Sequence, residues 1–167
     1  MRARRFLFVI LAVLAVSGPG TAFADNVLRF HSEPNDPIGL GGEVTYTNRD
    51  GVFALTPTIY PNAIQVSFYT EGAGHWWTLT MMPADGAPLK LGQYADAQPW
   101  PFQSPGHPGL TFYGDGRLCF ASGRFEVLDL TYDRAGNIAS FAANWEQRCR
   151  GVTAAVRGQM RYNSTQP

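Results

Sequence analysis

The stretch GRFEVLDLTYDRAGNIASFAANWEQR, Gly123 to Arg148, decides the fold. Two runs rich in β-branched and aromatic residues, Gly123–Asp133 and Asn137–Arg148, flank the turn residues Arg134-Ala135-Gly136. Such a pattern reads as a long antiparallel hairpin. If Asp133 faces Asn137, then Phe125 faces Trp145 and Arg124 faces Glu146. One face then carries an aromatic pair and the other an opposite-charge pair, each worth roughly 0.2–1 kcal/mol. The apolar parity changes from Phe125 and Val127 to Leu128 and Leu130, which predicts a β-bulge near Val127-Leu128.

The same alternation runs outward in both directions. Strands are expected at Val27–His31, Val44–Asn48, Val52–Thr56, Ala63–Thr70, His75–Met82, Leu89–Tyr94, Leu110–Tyr113 and Val152–Tyr162. In the fourth of these Ile64, Val66 and Phe68 face the core, while Gln65, Ser67 and Tyr69 face out. In the last, Val156, Met160 and Tyr162 point inward and Arg157, Gln159 and Arg161 outward. The 18 glycines and 12 prolines punctuate these runs and form no repeat. Ala97–Gly109 is too rich in Pro and Gly for regular structure, and Asn163–Pro167 reads as a disordered tail. No segment after the N-terminal leader holds a helical period over ten residues. The expected fold is an antiparallel β-sandwich of about nine or ten strands, with a closed barrel as the alternative.

The N-terminus has the order of an export signal. Arg2, Arg4 and Arg5 precede eleven apolar residues, Phe6 to Val16. That run is too short for a membrane span, which needs about 20 residues. Ser17 to Gly20 break it, and Ala22-Phe23-Ala24 supplies a small-x-small cleavage pattern. Residues 1–24 are therefore expected to be removed, leaving a single domain over 25–162, exported by the general secretory route to the periplasm or beyond. No second apolar run reaches 18 residues, so the mature protein is not expected to span a membrane.

The whole chain balances 13 basic against 13 acidic residues. Without the three leader arginines the balance is 10 against 13, which argues against nucleic acid as a partner. Two cysteines in an exported chain most often pair, so Cys119 and Cys149 are expected to form a disulfide. Two free thiols or half of a metal site are the alternatives.

The inventory for catalysis is thin. His31, His75 and His107 lie far apart in sequence, with no H-x-H or H-E-x-x-H spacing, and no G-x-S-x-G elbow occurs. No metal site and no cofactor is expected. Loop carboxylates Glu33, Asp36 and Asp115 could act as a glycosidase pair or share a Ca²⁺ ion, but Asp at a turn is explained by local hydrogen bonding alone. Trp76 and Trp77 are adjacent, so one is core and one lies on the outer face. Trp100 and Phe102 share the Pro-rich loop with His107. They either plug the end of the sandwich or stack on a sugar ring or a partner protein.

Several motifs resemble a pattern found in exported bacterial β-sandwich domains of unassigned function. These are Phe30-His31-Ser32-Glu33-Pro34, Ile38-Gly39-Leu40-Gly41, Pro105-Gly106-His107-Pro108-Gly109-Leu110, Gly114-Asp115-Gly116-Arg117-Leu118-Cys119, Gly123-Arg124-Phe125-Glu126-Val127 and Glu146-Gln147-Arg148-Cys149-Arg150-Gly151. The resemblance spans most of the mature chain. It implies a secreted or surface module, a β-fold and the disulfide, and it carries over no activity.

The functional expectation is an exported, non-catalytic binding domain contacting glycan or an envelope protein. Its candidate ligand-binding residues are Trp100, Phe102, His107, Asp115 and Glu33. The alternative is a secreted polysaccharide hydrolase using a loop carboxylate pair.

Overall fold

The hairpin strands are the longest elements of the fold: β8 (Ala121–Tyr132) and β9 (Ile138–Cys149). Phe125 lies opposite Trp145 and Arg124 opposite Glu146, as the alternation predicts. The register slips between Val127 and Asp129, so Leu128 is the bulged residue. The structure, a computed structural model, describes residues 26–167 apart from Pro57, Ile59, Pro61 and Ala73. The expected leader lies outside the described residues.

Eight further strands complete the sheet: β1 (Val27–Ser32), β2 (Glu43–Thr47), β3 (Gly51–Leu55), β4 (Ile64–Thr70), β5 (Trp76–Met82), β6 (Gly92–Pro99), β7 (Gly109–Gly114) and β10 (Ala155–Tyr162). They form one mixed sheet in the order β2-β1-β10-β9-β8-β6-β7-β5-β4-β3. The fold is all-β, with ten strands in a sheet nearly closed into a barrel and one disulfide. Six strands, β2 to β6 in that order, face the four from β7 to β3 across a shared core.

Strand β6 is the corner. Its first half pairs antiparallel with β8 through Tyr94. A bulge at Ala95-Asp96, with Asp96 at φ 53°, then swings it onto β7, where Gln98 and Pro99 pair in parallel with Gly109 and Leu110. This is why the strand expected at Leu89–Tyr94 runs instead over 92–99. At the other end the seam falls between β2 and β3, joined by a short turn. Tyr46 on β2 stacks on Phe68 of β4 at 4.4 Å and covers that seam.

The core is aromatic. Phe30 of β1 meets Trp77 at 4.6 Å and Phe112 at 5.2 Å, and Trp145 of β9 meets Phe112 at 4.9 Å. Such pairs add about 0.5–1.5 kcal/mol each beyond the area they bury. Ile64, Val66 and Phe68 are buried as expected. Trp77 is core, and Trp76 lies half-buried on the opposite face, edge-on to Tyr113.

Three expectations need correction. Ser67, read as outward, is fully buried and hydrogen-bonds Thr78 Oγ1 at 3.0 Å. Arg161, also read as outward to solvent, is 3% exposed. The tail expected to be disordered is the cause. Ser164 is buried and donates to Asp129 at 2.6 Å, and Arg161 donates to Pro167 O, so residues 163–167 lie over the guanidinium. Arg161 is satisfied there by Ala143 O at 2.8 Å and Asn144 Oδ1 at 2.8 Å.

The disulfide is formed, with Cα atoms 5.6 Å apart. It closes the open end of the β8–β9 hairpin. Among the described residues no helix is long and apolar enough to cross a membrane.

Candidate functional site

Outward positions of neighbouring strands fall into rows across a sheet, because residues directly opposite share a face. Two polar rows cross the larger half. The first runs Glu43, His31, Arg157, Glu146, Arg124 over β2, β1, β10, β9 and β8. The second runs Arg29, Gln159, Asn144, Glu126, Gln93 over β1, β10, β9, β8 and β6. Together they floor a groove of about 760 Å³ on the face opposite the aromatic core. A second depression, about 520 Å³, adjoins it and shares Arg124 and Glu146.

Glu146 is the centre of this floor and is only 5% exposed. Its Oε2 accepts from Arg124 Nη2 at 2.9 Å and from Arg157 Nε at 2.8 Å. Its Oε1 accepts from Arg148 Nη1. Arg157 also donates to Glu33 Oε1 at 2.6 Å, and Glu33 Oε2 accepts the Ala155 N–H at 2.9 Å. Burial alone would raise the Glu146 pKa, and it is the largest single influence on that group. The hydrogen bonds from Arg157 and Arg148, together with the positive charges of those two arginines, outweigh it, and the carboxyl is held below its ordinary value. The Arg157 hydrogen bond is the main cause of the lowered pKa of Glu33. Arg157 is raised in turn, first by Glu33 and then by Glu146.

These shifts fix the sign of an acid response. Carboxyls whose folded pKa lies below the unfolded value contribute stability above that unfolded value and lose it as pH falls through the folded pKa. Glu146, Glu33 and Glu43 all lie below the ordinary 4.5. Stability is therefore expected to hold from about pH 7 to about pH 5 and to decline below that. Glu146→Gln should cost about 2 kcal/mol at neutral pH, between the surface and buried limits for ion pairs, and should flatten the acid limb. Urea midpoints measured across this pH range check it. An unchanged acid slope in the variant would remove Glu146 from the account.

The sequence-predicted site residues do not converge on one pocket. Glu33 joins the arginine network through Arg157. His107 lines the second depression, and its Nδ1 lies 3.1 Å from Asp96 O, where it supports the β6 corner. Asp115 sits elsewhere, in the turn after β7, bound to His75 Nδ1 at 2.7 Å, the Trp76 N–H at 2.9 Å and Arg117 at 3.3 Å. Trp100 is half-buried, edge-on to Tyr60 at 5.7 Å, and exchanges hydrogen bonds with Thr111 Oγ1. Both of those hydrogen bonds are made by the Trp100 backbone, and Phe102 is 70% exposed.

Glu33, Asp36 and Asp115 are each engaged by a different set of groups. Asp36 is buried in the β1–β2 loop, where its Oδ2 accepts from Ser32 Oγ at 2.8 Å and the Gly39 N–H at 2.7 Å. Among the described residues, no three His, Cys, Asp or Glu groups come together as a metal site.

The groove lies on strand faces, away from the loop residues that the sequence motifs single out. Its signal was present in the outward parity of Arg157 and Gln159 and in the predicted Arg124–Glu146 pairing. Within the groove the side chains of His31, Gln93 and Gln159 make no hydrogen bond to another described residue, so their polar atoms are available to a ligand. No protein family, curated protein or solved structure matches the chain.

Proposed function

We propose that this is an exported binding domain whose polar groove takes a neutral, polyhydroxylated chain, an oligosaccharide of the envelope or its surroundings. The observation that carries the reading is the uncommitted amides of Gln93 and Gln159 on a floor anchored by Glu146 and its three arginines. An amide offers donors and an acceptor together, which suits a hydroxyl that needs both. The ion-pair network fixes the floor before a ligand arrives, which lowers the ordering cost of binding.

Charge favours a neutral ligand. Arg29, Arg124 and Arg157 oppose Glu43, Glu126 and Glu146, three against three. The volume lies within the range of about 300–1,000 Å³ typical of ligand sites. A polar floor of this kind selects against apolar ligands, since burying its groups unpaired costs about 1–3 kcal/mol each.

The double variant Gln93→Ala/Gln159→Ala should fold normally and bind neutral oligosaccharides at least ~10-fold more weakly, from two lost hydrogen bonds of about 1 kcal/mol each. Calorimetric titration against a panel of neutral oligosaccharides reads this out. Failure of the parent protein to bind any of the panel, or equal binding by the variant, would sink the proposal.

A further inference from the structure

A second surface stands apart from the groove. Phe102, Leu118 and Phe120 are 70%, 67% and 58% exposed. Phe102 comes from the loop after β6, and the other two from the segment between β7 and β8. The Phe102 and Phe120 rings are 5.8 Å apart and form one patch, and Leu118 is two positions from Phe120 along the chain. The backbone that carries the two rings is held in place. The Phe102 N–H donates to Pro99 O at 2.7 Å, the Arg150 N–H donates to Phe120 O at 2.8 Å, and Cys119 between the two tip residues is in the disulfide.

We infer that this apolar tip docks the protein onto the surface of an anionic phospholipid bilayer. Three features select that occupant. The first is charge: the Arg150 guanidinium lies 5.8 Å from the Phe120 ring centre and forms no ion pair with another described residue. Nearby Arg117 is already paired with Asp115. An uncommitted cation at the rim of an apolar patch matches anionic headgroups above acyl chains.

The second is shape. None of the three side chains lines the groove or the depression beside it. They protrude, and a bilayer accepts a protruding tip without a complementary surface. The third is area. Side chains of this size at these exposures present roughly 300–400 Å². A stable protein interface takes about 800 Å² from each partner, so neither a second copy nor a protein ligand is held by this patch alone.

Co-sedimentation with vesicles tests the assignment. The full chain is isolated from the expressing cells, and its N-terminus is read by intact mass so that all variants are compared on the same form. Vesicles of phosphatidylcholine alone are set against phosphatidylcholine with about 30% phosphatidylglycerol. The protein should prefer the anionic vesicles several-fold, and the preference should fall with salt. Phe102→Ser/Phe120→Ser should lose at least ~10-fold on the anionic vesicles, since two inserted rings are removed. Arg150→Gln should lose several-fold on anionic vesicles and little on neutral ones.

All three positions are exposed, so melting curves should confirm that the variants fold. Equal sedimentation of parent and double variant would overturn the inference, as would a folded parent that binds neither vesicle. Light scattering that shows a dimer dispersed by the double variant would reassign the patch to a second copy.

Discussion

Reducing Cys119–Cys149, or replacing both by serine, is expected to lower stability by about 3–4 kcal/mol and leave the fold intact. The cysteines are 30 positions apart and hold the open end of the longest hairpin in the sheet. In the folded protein the bond does little that the strands do not already do. Ala121 pairs with Cys149 in register, and Arg150 N–H reaches Phe120 O. The bond acts on the unfolded chain, whose loop it keeps closed, and the entropy removed there sets the magnitude. The melting temperature should fall by roughly 10 °C for a domain of this size. The denaturant slope should rise, because a chain without the crosslink exposes more surface when it unfolds. Urea titrations followed by tryptophan emission, with and without reductant, measure the stability loss and the slope, and thermal melts measure the fall in melting temperature. A loss under about 1 kcal/mol would mean that the unfolded hairpin stays compact without its covalent tie.

That bond and the hairpin it closes show what local pattern carries. Strict alternation in Gly123–Arg148 predicted the facing pairs Phe125–Trp145 and Arg124–Glu146, and the parity change predicted the bulge now seen at Leu128. Adjacent tryptophans had to split between faces, and Trp77 took the core. These readings succeed because period two and a short turn are properties of neighbouring residues. Ser67 and Arg161 were misjudged for the opposite reason. Their parity was right, yet whether an outward residue meets water depends on what else folds over it, and for Arg161 that is the tail.

The site was less legible still. Glu33 and Arg157 are 124 residues apart, and the groove needs six strands in register before its floor exists. Sequence supplied the polar residues and their common face. Which of them would form a recess, and that three arginines would gather on Glu146, depended on how the sheet curves. The β6 corner was hidden similarly, since a bulge at Ala95-Asp96 moves the strand from one half of the sheet to the other.

Replacing Gln147 by leucine should cost about 3 kcal/mol, although the two side chains are similar in size. Gln147 shares the inner face with Trp145 and is 1% exposed. A polar residue there would be a liability without partners, and its partners are backbone groups of the opposite half of the sheet. Strand β7 is covered by β5 along one edge, but β6 reaches only Gly109 and Leu110 on the other. Beyond that point the Gln147 amide takes the place of a strand. Its Oε1 accepts the Phe112 N–H at 2.7 Å, and its Nε2 donates to Phe112 O at 2.8 Å. Phe112 is fully buried, so leucine would leave an N–H and a C=O with no partner, at about 1–3 kcal/mol apiece. Gln147→Glu separates this account from one of packing. Glutamate keeps an acceptor, loses the donor and places a charge in the core, so at neutral pH it should be worse than leucine. Burial raises the folded pKa of such a carboxyl above its unfolded value, so the penalty shrinks as acid protonates it and restores a donor toward Phe112 O. The glutamate variant should therefore close part of its gap to the parent on acidification, while the parent itself weakens. Stability of both variants by urea titration at neutral and acid pH decides the matter. A leucine variant within about 1 kcal/mol of the parent, or a glutamate deficit that widens in acid, would show that Phe112 does not depend on this amide.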